Sequence, residues 1–136
     1  MRASLRLQLT LPVLLGVAAT ALASQFRPNR QIDWAAPAPA AAVSNPLAAT
    51  PAIIAGGTKV FEERCAQCHG RRASGSDRAP DLTSTRTQRQ SDGALFWKLS
   101  SGNAYAGMPG FSYLPPAQRW QLVLYLREAA KREGAR

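Results

Sequence analysis

Both thiols and the only imidazole of this chain lie within five consecutive positions, Cys65-Ala66-Gln67-Cys68-His69, out of 136 residues. Soft-ligand chemistry therefore has a single address. The initiator aside, Met108 is the one methionine, so it is the only other sulfur that a folded domain can bring to that address.

Several chemistries use two cysteines separated by two residues, and their surroundings tell them apart. A thioredoxin-like redox pair expects a strand before the first cysteine and an alternating strand–helix chain; neither pattern is present. Structural zinc takes four ligands, commonly Cys or His, and the chain offers only three such residues. A plain disulfide leaves the adjacent His69 without a role. Covalent haem attachment accounts for all three residues: thiols three positions apart on a helical turn reach both vinyl groups, and the next residue presents imidazole to the iron.

The second axial position follows by elimination. No other histidine exists, and Met108 stands 39 residues beyond His69 between Gly107 and Pro109-Gly110, a setting that suits a shaped loop. A lone methionine is often a core filler, but His/Met pairing is one that haem proteins use. A lysine ligand or an open sixth site are the alternatives.

Upstream, Arg2 and Arg6 precede an uncharged apolar run of 15 residues, Leu9 to Ala23, that ends in Ala21-Leu22-Ala23. A membrane span needs ~20 apolar residues; a secretory signal needs roughly 7–15 and small residues at the cut. Residues 1–23 are therefore expected to be a signal peptide, the alternative being an uncleaved anchor over residues 5–23. Residues 24–49 are rich in Ala and Pro and read as an extended linker, with Ile32 and Trp34 as isolated apolar residues in it. The folded domain is expected over 50–133.

Within that domain the pattern predicts helices only. Thr50-Pro51 is a good start, with Thr as N-cap and Pro at the first helical position, and this helix runs past Phe61 to the cysteine pair. Gly56 and Gly57 inside it weaken it by roughly 1 kcal/mol each relative to Ala, which calls for close approach of another helix or a break in this one. Residues 70–89 lack periodicity and read as loop with at most short turns. Ser91-Asp92 opens a second helix, through Leu99, that Gly102-Asn103 ends. A third runs from Ala117 to about Arg132, with basic residues near its C-terminus, where the dipole favours them. The fold class is all-α, with three to four helices.

From about Thr50 to Arg132 the chain resembles a class I monohaem cytochrome c. The shared features are Gly57 and Phe61, the Cys65–Gly70 run, Pro80 with Leu82, the Gly107-Met108-Pro109 loop, and Trp120 with Tyr125. The resemblance implies a small cytochrome c fold wrapped around one covalent haem c and its iron. It further implies that the first and last helices cross at Gly57, with Phe61 near Trp120 and Tyr125. Pro80 would accept a hydrogen bond from His69, and Leu82 would lie against the haem. Arg71 and Arg72 depart from the family's usual small and acidic residues; they would pair with haem propionates or belong to a solvated basic face.

Charge adds a partner class. Formal net charge is +9, and loss of residues 1–23 removes two arginines and no acid, leaving +7. Arg64 to Lys98 alone holds seven basic residues against three acids, which suits an acidic redox partner. Export and the lack of a recognisable binding motif weigh against nucleic acid. The expected function is one-electron transfer in a periplasm, between a dehydrogenase or respiratory complex and an oxidase or reductase. The protein would be an electron carrier without enzymatic activity of its own. Alternatives are a haem subunit tethered to a larger redox complex, touching membrane only through an uncleaved N-terminus, and a peroxidase or sensor with an open iron site.

A domain of about 85 residues with such polar loops has a small core unless the haem completes it. Replacement of both Cys65 and Cys68 by Ala is expected to leave the chain largely unfolded by far-ultraviolet circular dichroism; a compact helical spectrum contradicts this.

Overall fold

The computed structural model describes residues 34–135, which belong to a unit beginning at Trp34. The signal peptide or anchor expected over 1–23, the first part of the linker and Ile32 lie outside the described residues. Helical segments follow in the order α1 (Ala38–Ala41), α2 (Pro51–Arg64), α3 (Ala66–His69), α4 (Thr85–Gln88), α5 (Asp92–Ser101) and α6 (Pro116–Gly134), with a 3₁₀ turn at Ala104–Ala106. The described residues contain no strand, only an isolated antiparallel bridge between Asn103 and Met108. None of their helices is long and apolar enough to cross a membrane.

Two of the long helices start where a hydroxyl replaces a missing carbonyl. Thr50 Oγ1 accepts from the Ile53 amide at 3.3 Å and Ser91 Oγ from the Ala94 amide at 3.2 Å, each satisfying a donor the helix cannot. At the third, Pro115 stands at the N-cap and Pro116 opens the helix, where the absent N–H is no loss. α6 runs two residues beyond the expected end, within the usual fraying.

The core is the crossing of α2 with α6. A methyl group on Gly57 would lie 2.2 Å from the Gln121 carbonyl oxygen and 3.0 Å from Tyr125 Cβ, and one on Gly56 would meet the Gln121 side chain at 2.9 Å. Gly57 thus lets the backbones touch, Gly56 makes room for the Gln121 side chain, and α2 continues through both unbroken. Below the crossing, Phe61 is 1% exposed and tilts against Tyr125 with ring centroids 4.6 Å apart. Trp120 stacks on Phe96 of α5 at 4.0 Å, which joins the third long helix to the pair.

Arg127 of α6 fastens the loop that precedes α5. Its Nε and Nη2 donate to Asp92 Oδ1 at 2.9 and 2.7 Å, Nη1 to the Gln88 carbonyl and Oε1 at 2.9 and 3.0 Å, and Nη2 to the Gln90 carbonyl at 2.6 Å. Such a fork uses the planar donor geometry that distinguishes arginine from lysine. Position near the helix end suggested only a dipole contact for this residue.

The linker expectation needs correction over residues 34–49. This arm lies on the domain instead of standing off as an extended spacer. Pro37 is the N-cap of α1 and Pro39 falls in its first turn, where proline is compatible with a helix. Ser91 Oγ donates to the Ala41 carbonyl at 2.6 Å, Asn45 Nδ2 to the Trp120 carbonyl at 3.1 Å, and Trp34 Nε1 to the Gly102 carbonyl at 2.7 Å. Gly93 admits the arm, since a methyl group there would lie 2.2 Å from the Ala40 carbonyl oxygen. Composition reports the stiffness of an Ala/Pro segment; it does not report an apolar face waiting elsewhere.

Gly57→Ala is expected to destabilise the protein by ~3 kcal/mol, because the obstructing atom is backbone and cannot rotate away. Urea denaturation of the holoprotein checks this, with Gly134→Ala, which meets nothing within 4 Å, as the neutral comparison.

Candidate haem site

The last turn of α2 delivers the cysteine pair. Cys65 caps that helix through its amide to the Phe61 carbonyl at 2.8 Å, and its own carbonyl accepts from the amides of Cys68 at 3.1 Å and His69 at 2.9 Å. One tight turn therefore carries both thiols and the imidazole. Cys65 is buried and Cys68 exposed. Before attachment, burial and then the neighbouring Cys68 push the Cys65 thiol up to about 11.

His69 is 8% exposed, and its Nδ1 lies 3.0 Å from the Pro80 carbonyl oxygen. A carbonyl can only accept, so Nδ1 carries the proton and Nε2 presents a lone pair. The contact depends on a folded-back loop. Gly70 has φ +75° and Gly75 φ +83°; methyl groups on them would lie 2.7 Å from the Gly75 carbonyl oxygen and 2.7 Å from the Asp81 nitrogen. Ala73, fully buried, holds φ +61°, a conformation costing an L-residue about 1–2 kcal/mol. It is fixed there by its amide to the Gly70 carbonyl at 3.0 Å and by the Leu82 amide to its own carbonyl at 2.8 Å. Asp81 Oδ1 accepts from the Thr83 amide and hydroxyl at 2.7 and 2.6 Å, which sets the chain direction just after Pro80.

Met108 sits on a second loop. α5 ends at Gly102, with φ +66°, where a methyl group would lie 2.4 Å from the Gly110 nitrogen. Asn103 and Met108 exchange backbone hydrogen bonds of 2.8 and 3.0 Å, and the Phe111 amide returns to the Leu99 carbonyl at 2.9 Å. Between the bridged residues, Asn103 Oδ1 accepts from the Ala106 amide at 3.3 Å, and Gly107 takes the left-handed conformation at φ +76°. Met108 and Leu82 are both half-buried against the core cluster to which Cys65 belongs.

Of the sequence-predicted residues, the structure thus pairs His69 with Pro80 and brings Cys65, Leu82 and Met108 to one cluster. Arg71 and Arg72 are exposed. The Arg72 guanidinium lies 3.7 Å from Glu133, and Arg71 contributes its carbonyl to the Tyr125 hydroxyl at 3.5 Å. Sequence reasoning missed Ala73, Asn103 and Trp34. Only Asn103 carried a signal, the Gly-Asn pair, and that marked a helix end without showing the bridge to Met108.

The donor set fits a c-type haem: two thiols on one turn, an imidazole held with one nitrogen available, and a thioether on a fixed loop. Among the described residues no group of three or more His, Cys, Asp or Glu converges as a closed metal site would require. The family model for cytochrome C oxidase, cbb3-type, subunit III matches residues 52–126, more than half of the chain. No curated protein matches it. The match runs from the start of α2 through most of α6 and includes the whole Cys65–His69 turn and the Met108 loop; the chain belongs to this family, as a small all-α monohaem cytochrome c domain with a covalently bound c-type haem, whose chemistry is electron transfer.

Proposed function

We propose that this protein is an exported one-electron carrier, working in a periplasm, in which Cys65 and Cys68 tether the haem and His69 and Met108 fill both axial positions. The observation that carries this reading is the hydrogen bond from His69 Nδ1 to Pro80, since it leaves Nε2 as the metal-facing nitrogen. When bound, a c-type haem supplies reversible one-electron chemistry at its iron, and a thioether ligand raises the potential by favouring the ferrous state. The chain's own residues do the rest. Pro80 fixes the imidazole and strengthens it as a donor, Leu82 covers the pocket with apolar surface, and the Asn103–Met108 bridge holds the thioether side.

An enzyme with an open iron site wants an acid–base side chain near the substrate. The 20 residues from Leu99 to Gln118 contain no charged residue and no histidine, so the Met108 loop offers no carboxylate, ammonium or imidazole for that role. The family's description as an oxidase subunit favours a second version of the same chemistry, in which residues 5–23 stay uncleaved and tether the domain to a larger complex. Release of the native protein by osmotic shock without detergent supports the diffusible carrier; retention until detergent is added supports the tethered subunit.

Partner choice follows charge. The excess of basic residues between Arg64 and Lys98, together with exposed Arg71 and Arg72, supports docking to an acidic face on the electron donor or acceptor.

The holoprotein is expected to show, in its ferric spectrum, the weak long-wavelength band of a methionine–iron bond. In Met108→Ala this band vanishes and the potential falls by on the order of 0.1–0.2 V, part of the ~0.8 V range that axial ligands span. Ready binding of carbon monoxide or peroxide to the native protein points instead to an open site. Electron transfer with the native partner is expected to slow about tenfold between low salt and 0.5 M, and a rate indifferent to salt removes the acidic-partner proposal.

A further inference from the structure

The half-buried Trp34 makes a contact that spans 68 residues of sequence, its indole Nε1 donating to the Gly102 carbonyl at 2.7 Å. Gly102 is buried and is the C-cap of α5, so its carbonyl has lost any helical partner. It also stands at the neck of the Met108 loop. Its Cα faces the Gly110 nitrogen too closely for a side chain, and the next residue, Asn103, is bridged to Met108 by two backbone hydrogen bonds. The indole N–H is a donor only, and the Lys98 ammonium lies 4.6 Å from the ring centroid, a second restraint on the ring. Elsewhere the arm is held through Ala41 and Asn45, neither of which reaches the loop.

From this geometry we propose that Trp34 is a positioning residue: its hydrogen bond to Gly102 clamps the neck of the Asn103–Met108 loop and keeps the Met108 thioether seated. The claim about the thioether rests on the axial role proposed above for Met108. Without the donor, a buried carbonyl is left unpaired, and the loop relieves that penalty by opening. The Ala/Pro arm is thus part of the scaffold of the site.

The test compares holoprotein carrying Trp34→Phe, which keeps a ring and removes the donor, with Asn45→Ala, which loosens the arm away from the loop. Amide hydrogen exchange at Asn103 and Met108 reads the clamp, and binding of added imidazole to the ferric protein reads the seating of the thioether. Trp34→Phe is expected to raise both the exchange rates and the imidazole affinity about fivefold, the effect of one lost hydrogen bond, with Asn45→Ala staying within twofold of wild type. Unchanged exchange in Trp34→Phe, or equal effects from both substitutions, overturns the clamp. A wild-type spectrum without the methionine band overturns the ligation reading, and with it the thioether claim; unchanged exchange beside an intact band overturns the clamp alone.

Discussion

Contact between α2 and α6 backbones at Gly57 and Gln121 is the constraint from which the rest of the structure hangs. Phe61 of α2 and Tyr125 of α6 pack beside this crossing, and the distance between the helices is set by what a glycine leaves out. Since Cys65 caps α2, the crossing also decides where the attachment turn emerges relative to the core. A structural feature that weakens one helix locally, by about 1 kcal/mol per glycine, is offset by the close packing it permits. The same residues that close the core, Phe61 and Tyr125, thereby locate the functional turn.

Beyond that crossing, the site is assembled from loops that are irregular but not loose. On the histidine side, the positive-φ residues Gly70, Ala73 and Gly75 reverse the chain and aim the Pro80 carbonyl at Nδ1. On the methionine side, Gly102 and Gly107 play the corresponding part, and the Asn103–Met108 bridge closes the loop. Each loop returns a carbonyl or an amide to a helix end, which satisfies groups the helices leave unpaired. The His69 imidazole and the Met108 thioether therefore rest on different supports: a side-chain hydrogen bond for one, a backbone frame for the other.

Charge and surface divide along the same lines. Basic residues crowd the segment from Arg64 to Lys98, whereas the stretch that carries Met108 is uncharged. Arg127 is turned inward, its guanidinium spent on α4, α5 and the residues between them, and so is Arg119, which donates to the Leu114 carbonyl and the Ser100 hydroxyl. Arginines equally basic in composition thus serve a solvated face in one place and a tie between helices in another, and only their surroundings distinguish them.

What could be read from the residues alone was what local chemistry dictates. The Cys65–His69 spacing, the Thr50 and Ser91 caps and the apolar periodicity identify an attachment turn and the long helices, because each signal acts within one or two turns of chain. Gly57 was legible as a close approach, and the resemblance to cytochromes c named its partner helix. Tertiary structure alone decided the course of the arm from Trp34, the inward role of Arg127 and the left-handed backbone of Ala73. Each of these depends on a group brought from a distant position or on neighbours that over-determine a costly conformation, as when Trp34 meets a carbonyl 68 residues away. Composition carries the conformational preference of a segment; it does not carry the identity of the surface on which that segment comes to rest.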